Sequence, residues 1–234
     1  MNWLDHAGLG LPGNACSRQD DAVSSMAAGV PNHYLVISAY THREVVLRQL
    51  SFPYAVSVDL ERQTAWCNDR SASRTLRPGR RTTIPSLTRF DLHLSANASV
   101  QVQVQPEDME NFSRQARKPM THALARCVFL QPGRNWTRHE CAALLHLSTS
   151  ELSRQLFAEG ECMRDTVRSS RLSKFLVDLP QLPKVNNRLA AAYGFHYQYL
   201  LEEAVYESFG VTLATLTALI RMNNNVIPWH HPLQ

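Results

Sequence analysis

The stretch WTRHECAALLHLSTSELSRQLFAEG, Trp136 to Gly160, decides how the second half of the chain is read. Thr137 is followed three residues later by Glu140, and Ser148 three residues later by Glu151. In each pair the hydroxyl accepts a backbone N–H at a helix start while the carboxylate reaches back to the cap residue. The stretch therefore predicts two capped helices. The first turns Cys141, Ala142, Leu144 and Leu145 inward; the second turns in Leu152 and Leu156, and Gly160 suits the left-handed residue that ends it. Two such helices joined by a tight turn form a helix-turn-helix. Ser150, Ser153, Arg154 and Ala158 fall on the opposite face, where Arg154 can take a guanine edge or a phosphate and the small hydroxyls permit close approach. A helical hairpin with no role at DNA has the same spacing, so spacing alone leaves both readings open.

Downstream, RLAAAYGFHYQYLLEEAVYESFGV (Arg188–Val211) repeats the pattern, with Leu189, Ala190, Phe195, Leu201, Val205 and Phe209 as its apolar set. Its polar face differs in kind: Tyr197, Gln198, Glu202, Glu203, Tyr206 and Glu207, with no Lys or Arg. Carboxylates facing phosphate are repelled, so this second helix is expected to serve packing or protein contact more than base reading. Between the units a helix is expected over about 162–179. It carries Arg164, Arg168, Arg171 and Lys174 at spacings of three and four, either a phosphate-binding row or a solvated face. Residues 120–178 hold eight Lys and Arg against six Asp and Glu, whereas 179–221 hold three against three. The basic excess of the helical half thus lies in its first portion.

The order W-T-x-x-x-[CA]-A-x-L-x-x-S-x-x-x-L-x-R-x-L, followed about forty residues later by Gly194-Phe195 and then Phe209-Gly210-Val211, resembles the DNA-binding domain of the AraC/XylS family of bacterial transcription regulators. The piece from Ser148 to Leu179 is similar to the branch that holds fimbrial, virulence and acid-resistance activators of enteric bacteria. The resemblance implies two helix-turn-helix units on a linking helix, set to enter major-groove faces about one DNA turn (~34 Å) apart. It implies Ser150, Ser153 and Arg154 as base-reading residues, Arg168 and Arg171 as backbone contacts, and His196, Tyr197, Gln198 and Glu203 on a second helix with weak or no contact. It further implies double-stranded promoter DNA and RNA polymerase as partners, activation as the output, and a homodimer through an N-terminal arm. The chain departs from the family where His196 follows the Gly-Phe pair in place of a Ser or Asp cap, and where Leu213 replaces a Pro.

The first half reads as β. HYLVIS and YAVSVDL are short branched runs, and SVQVQVQ alternates Val100, Val102 and Val104 with Gln101, Gln103 and Gln105. RPGR is a turn, and RTTIP a strand stopped by Pro85. LRPGRRTTIPSLTRFDLHL (Leu76–Leu94) resembles, over a short span, the cupin-like regulatory arm of AraC-type proteins; Arg89 and Phe90 stand where metal cupins place histidines. The arginines at 70, 74, 77, 80, 81 and 89 read either as solvated turns or as a grip for an anionic effector.

The expected architecture is α+β in two domains. A leader (1–30) precedes a cupin-like β arm (31–105), a linker (106–119) and a helical DNA-binding domain (120–221). That domain has a first helix-turn-helix at about 136–160 and a second at about 185–210, and a tail (222–234) follows. A net charge of +4 over 234 residues is compatible with nucleic acid without requiring it. No run approaches the ~18 apolar residues of a membrane span, and the start lacks a secretory signal, so a cytoplasmic location is expected. The five scattered cysteines contain no C-x-x-C pair, and His139 with Cys141 lacks a second ligand pair. Neither a cofactor nor an enzyme activity is expected. The competing reading is a divergent relative that works through protein contacts, as a co-regulator or under chaperone control.

Overall fold

The computed structural model describes residues 35–69, 73–105 and 118–221. The expected leader, the tail, Arg70 and nearly all of the expected linker lie outside the described residues. The first part is built from β1 (Leu35–Tyr40), β2 (Val45–Leu50), β3 (Ala55–Arg62), β4 (Ala65–Asp69), β5 (Ser73–Leu76), β6 (Thr82–Ile84), β7 (Phe90–Leu94) and β8 (Ser99–Gln105). They form two antiparallel four-stranded sheets, ordered β1-β8-β3-β6 and β2-β7-β4-β5.

Alternation explains the central strands. On β8, Val100, Val102 and Val104 are buried; on β7, Phe90, Leu92 and Leu94 are. β2 escapes such reading because its register shifts between Leu47 and Leu50, with Gln49 left-handed (φ 49°). The Gln49 N–H donates to the Asp91 carboxylate at 2.7 Å instead of to the ladder. The RPGR turn forms as read: Arg80 N–H donates to the Arg77 carbonyl around Gly79, whose φ is 75°.

The second part comprises α1 (Pro119–Leu130), α2 (Arg138–Leu144), α3 (Thr149–Ala158), α4 (Met163–Asp178), α5 (Asn187–Ala192), α6 (Gln198–Phe209) and α7 (Leu213–Arg221). A 3-10 turn at Leu179–Gln181 follows α4. No helix among the described residues is long and apolar enough to cross a membrane.

The buried core does not divide where the sequence suggests. One cluster joins both sheets to the far half of the helices, so that Val58, Phe90 and Leu92 share it with Phe175, Leu176, Leu201, Val205, Phe209 and Leu216. A second, separate cluster holds Met120, Leu124, Val128, Trp136, Cys141, Leu145, Leu152, Leu156 and Val167. α4 therefore serves both, its start in the second cluster and its end in the first. α6 packs along β2 and α7 along β1, and Ser173 on α4 donates to the Ser51 carbonyl. An apolar cavity of about 20 Å³ remains where Leu47, Phe52 and Val100 face Leu176 and Ile220. That is about one water's worth of space with no polar partner in it, so it should stay dry.

Candidate nucleic-acid interface

Both capping boxes form. Glu140 N–H donates to Thr137 Oγ1 at 3.2 Å, and Thr137 N–H to the Glu140 carboxylate at 3.1 Å. The same exchange links Ser148 and Glu151 at 3.2 and 2.9 Å. The returned backbone hydrogen bonds hold the carboxyls of Glu140 and Glu151 below their ordinary value. The turn between α2 and α3 is fixed from the other side too. His146 is left-handed (φ 55°), and Leu147 N–H reaches back to the Ala142 carbonyl at 2.9 Å.

The second pair, α5 and α6, uses the same device. Gly194 takes the left-handed position (φ 77°), and Phe195 N–H donates to the Ala190 carbonyl at 3.0 Å. His146-Leu147 and Gly194-Phe195 are thus equivalent turns. The cap of α6 differs: Tyr197 supplies no side-chain bond, and Gln198 N–H is taken by the Asn187 side chain of α5 at 2.8 Å. The cap position is thus Tyr197, one residue beyond the expected His196, and the missing side-chain bond is provided by the partner helix.

On α3, Ser150, Ser153 and Arg154 are all exposed and fall on one face. Ser153 Oγ donates to its own helix at the Thr149 carbonyl (3.0 Å), which directs its lone pairs outward. Among the described residues no ion pair or hydrogen bond engages the Arg154 guanidinium. Phe157 joins this face one turn on, 83 % exposed, and sequence reading missed it. Counting 100° per residue from Arg154 places it there.

The linking helix is less available than expected. Arg168 is paired with Glu207 on α6. Arg171 is half-buried, donating from Nε to the Pro132 carbonyl at 2.9 Å and from Nη2 to the Arg134 carbonyl at 3.0 Å. It is therefore turned inward, not toward the phosphate contact expected of it. Lys174 pairs with Asp178 at 2.8 Å and lies 5.6 Å from the centre of the Phe129 ring. Arg164 alone of the four is exposed.

On α6, Tyr199, Glu203, Tyr206 and Glu207 form the outward stripe, all exposed. Tyr197 stacks on Tyr199 at 5.6 Å, while Gln198 is half-buried and donates to Glu202 at 2.8 Å. His196 is exposed beside this helix. In the arm, Arg74, Arg81 and Arg89 face Asp69, Asp59 and Glu161 at 3.5, 3.0 and 3.3 Å. Each of these cations already meets a carboxylate, against their gathering around an anionic effector. Cys141 is buried, and burial first of all pushes its thiol up to about 11, whereas His139 is exposed. A buried protonated thiol is a poor metal ligand, and no group of three candidate ligands occurs among the described residues.

No family model matches the sequence, and no curated protein matches it. Solved structures do. ToxT from Vibrio cholerae aligns with a TM-score of 0.61 at 12 % identity, over 79 % of this chain and 97 % of its own. The fold is that of ToxT. A second ToxT structure, with an unsaturated fatty acid bound, aligns with a TM-score of 0.60 over 82 % of this chain and 98 % of its own, also at 12 % identity. The C-terminal domain of AraT, a response regulator from Geobacillus stearothermophilus, matches half of this chain at 20 % identity with a TM-score of 0.41. The ToxT alignment spans sheets and helices together, and it agrees with a β region followed by a helical one.

Proposed function

We propose that the chain is a transcription regulator of the AraC type that reads promoter DNA through its first helix-turn-helix, α2 and α3. The observation that carries the reading is α3 itself. It is capped at both ends and presents Ser150, Ser153 and an unengaged Arg154 on one exposed face. A rigid helix with the small Ser150 and Ser153 beside one guanidinium suits bidentate contact with guanine in the major groove. The ToxT fold supports the same assignment. Arg164 supplies a backbone contact, whereas Arg168 ties the linking helix to α6 and Arg171 ties it to the loop ahead of α2 and to Gly194. The chain acts as an activator that recruits RNA polymerase, and the arm joins two copies.

A second reading, regulation through protein contacts, is favoured by α6. Its outward stripe of two tyrosines and two carboxylates is suited to a polypeptide partner and unsuited to phosphate. The two readings assign different tasks to different helices, so both can hold together.

Binding of the full chain to promoter fragments, titrated against salt, tests the DNA reading. Arg154→Ala is expected to bind promoter fragments more weakly and to lose preference at the guanine it reads, while keeping its fold. Wild-type protein that binds no promoter fragment better than random duplex would refute the proposal. Severalfold tighter binding by Glu203→Ala would bring α6 close to phosphates and overturn its assignment to protein contact.

A further inference from the structure

Five phenylalanines (Phe52, Phe90, Phe129, Phe175 and Phe209) are buried, and Phe195 is half-buried. Phe157 alone among the described residues breaks this pattern, 83 % exposed on the last turn of α3. The other large exposed side chains, Tyr197, Tyr199 and Tyr206, each carry a hydroxyl that water can satisfy; Phe157 has no polar atom. It is also not packed against the core of its own unit, which takes Leu152 and Leu156 instead. Relative to Arg154 it is three residues on, and relative to Ser153 four. All three therefore share one stripe, with Cβ atoms about 5–6 Å apart.

We propose that Phe157 is a base-reading residue that recognises the 5-methyl group of a thymine in the major groove. The inference rests on the reading of α3 as the DNA-recognition helix. On that helix Arg154 has the chemistry for the acceptor edge of guanine, and it cannot distinguish thymine. An aromatic ring beside it supplies the complementary chemistry, because the thymine methyl is the apolar group that the major groove displays. Three residues along a helix advance about 4.5 Å, so the thymine lies about one or two base steps from the guanine read by Arg154. Removing either the ring or the methyl removes the same contact.

The experiment is a thymine-by-thymine replacement with deoxyuridine in a site selected from random duplex by the full-length chain. Binding of wild type, Phe157→Ala and Arg154→Ala is measured to each DNA. The expected result is one thymine, or two adjacent ones, whose replacement weakens wild type and Arg154→Ala about three- to tenfold and leaves Phe157→Ala unchanged. Phe157→Ala should bind the unmodified site about as weakly as wild type binds the deoxyuridine site, and its melting temperature should match wild type. Deoxyuridine effects that are equal in wild type and Phe157→Ala at every position would overturn the proposal. So would unchanged DNA affinity of Phe157→Ala with lost transcription, which would assign the ring to a protein partner. If wild type selects no sequence at all, the reading of α3 as a recognition helix falls, an outcome distinct from the other two.

Discussion

The guanidinium of Arg171 lies directly against Gly194: a Cβ on that glycine would fall 2.3 Å from the Arg171 Cζ atom. The same guanidinium donates to the carbonyls of Pro132 and Arg134, ahead of α2. One side chain of α4 thus joins the loop ahead of α2 to the turn between α5 and α6. Gly194→Ala meets two costs, a left-handed backbone worth about 1–2 kcal/mol for a residue with a Cβ, and displacement of Arg171. Arg171→Ala strands two carbonyls and is expected to cost about 1–3 kcal/mol. Urea unfolding of the double variant should show less than the sum of the single losses, because removing Arg171 relieves the clash. Strict additivity would mean that the contact carries no energy.

Ser148→Ala should destabilise the first unit by about 1 kcal/mol, the ordinary value of a lost N-cap, whereas Ser148→Asp should be close to neutral. Thermal unfolding checks both. A loss shared equally by the two would point to a role for the hydroxyl other than capping.

Glu159, just after α3, caps a different helix. Its carboxylate accepts from Met120 N–H at 2.8 Å, Thr121 N–H at 2.7 Å and Thr121 Oγ1 at 2.6 Å, at the start of α1. Negative charge there is favoured by the helix dipole as well as by the bonds. Glu159→Ala should cost about 2 kcal/mol, and amide exchange at Met120 and Thr121 should accelerate more than elsewhere in α1.

His122 on α1 is buried, and burial first, then the Arg126 charge, lowers its pKa from 6.5 to about 2. The folded chain keeps this ring neutral while the unfolded chain protonates it. The unfolded state therefore binds more protons below pH 6.5, and stability present above that value is lost as pH falls. The slope of about 1.4 kcal/mol per pH unit gives a loss on the order of 2 kcal/mol by pH 5. His122→Gln should flatten the stability curve between pH 6.5 and 5. An unchanged slope in that variant would assign the acid sensitivity to other groups.

What sequence alone could disclose was local. The capping boxes of Thr137 and Ser148 need only residues three apart, and the alternation of Val100, Val102 and Val104 only residues two apart, so both were legible. The inward turn of Arg171 was not, because it depends on residues 132, 134, 171 and 194 meeting in space. The α6 cap provided by Asn187 is hidden for the same reason: the donor and the acceptor are on different helices. β2 was obscured by its bulge, which breaks the period that would betray a strand. Phe157 is a different case. Helical arithmetic places it beside Arg154, but an aromatic on an amphipathic helix is ordinarily counted with the core.

The shared core of the sheets and the far helices has a practical consequence for anyone dissecting the chain. Cutting before residue 118 to obtain a free-standing helical fragment would strip the sheets from Leu201, Val205 and Phe209 and leave the second helix pair with an exposed apolar flank. The first unit would keep its own packing, from Met120 to Val167. Such a fragment should come out half-folded and prone to clump, with an intact α3 beside a collapsed α6. The natural seam for separating the protein's parts runs through the middle of the linking helix, a place no boundary prediction would choose.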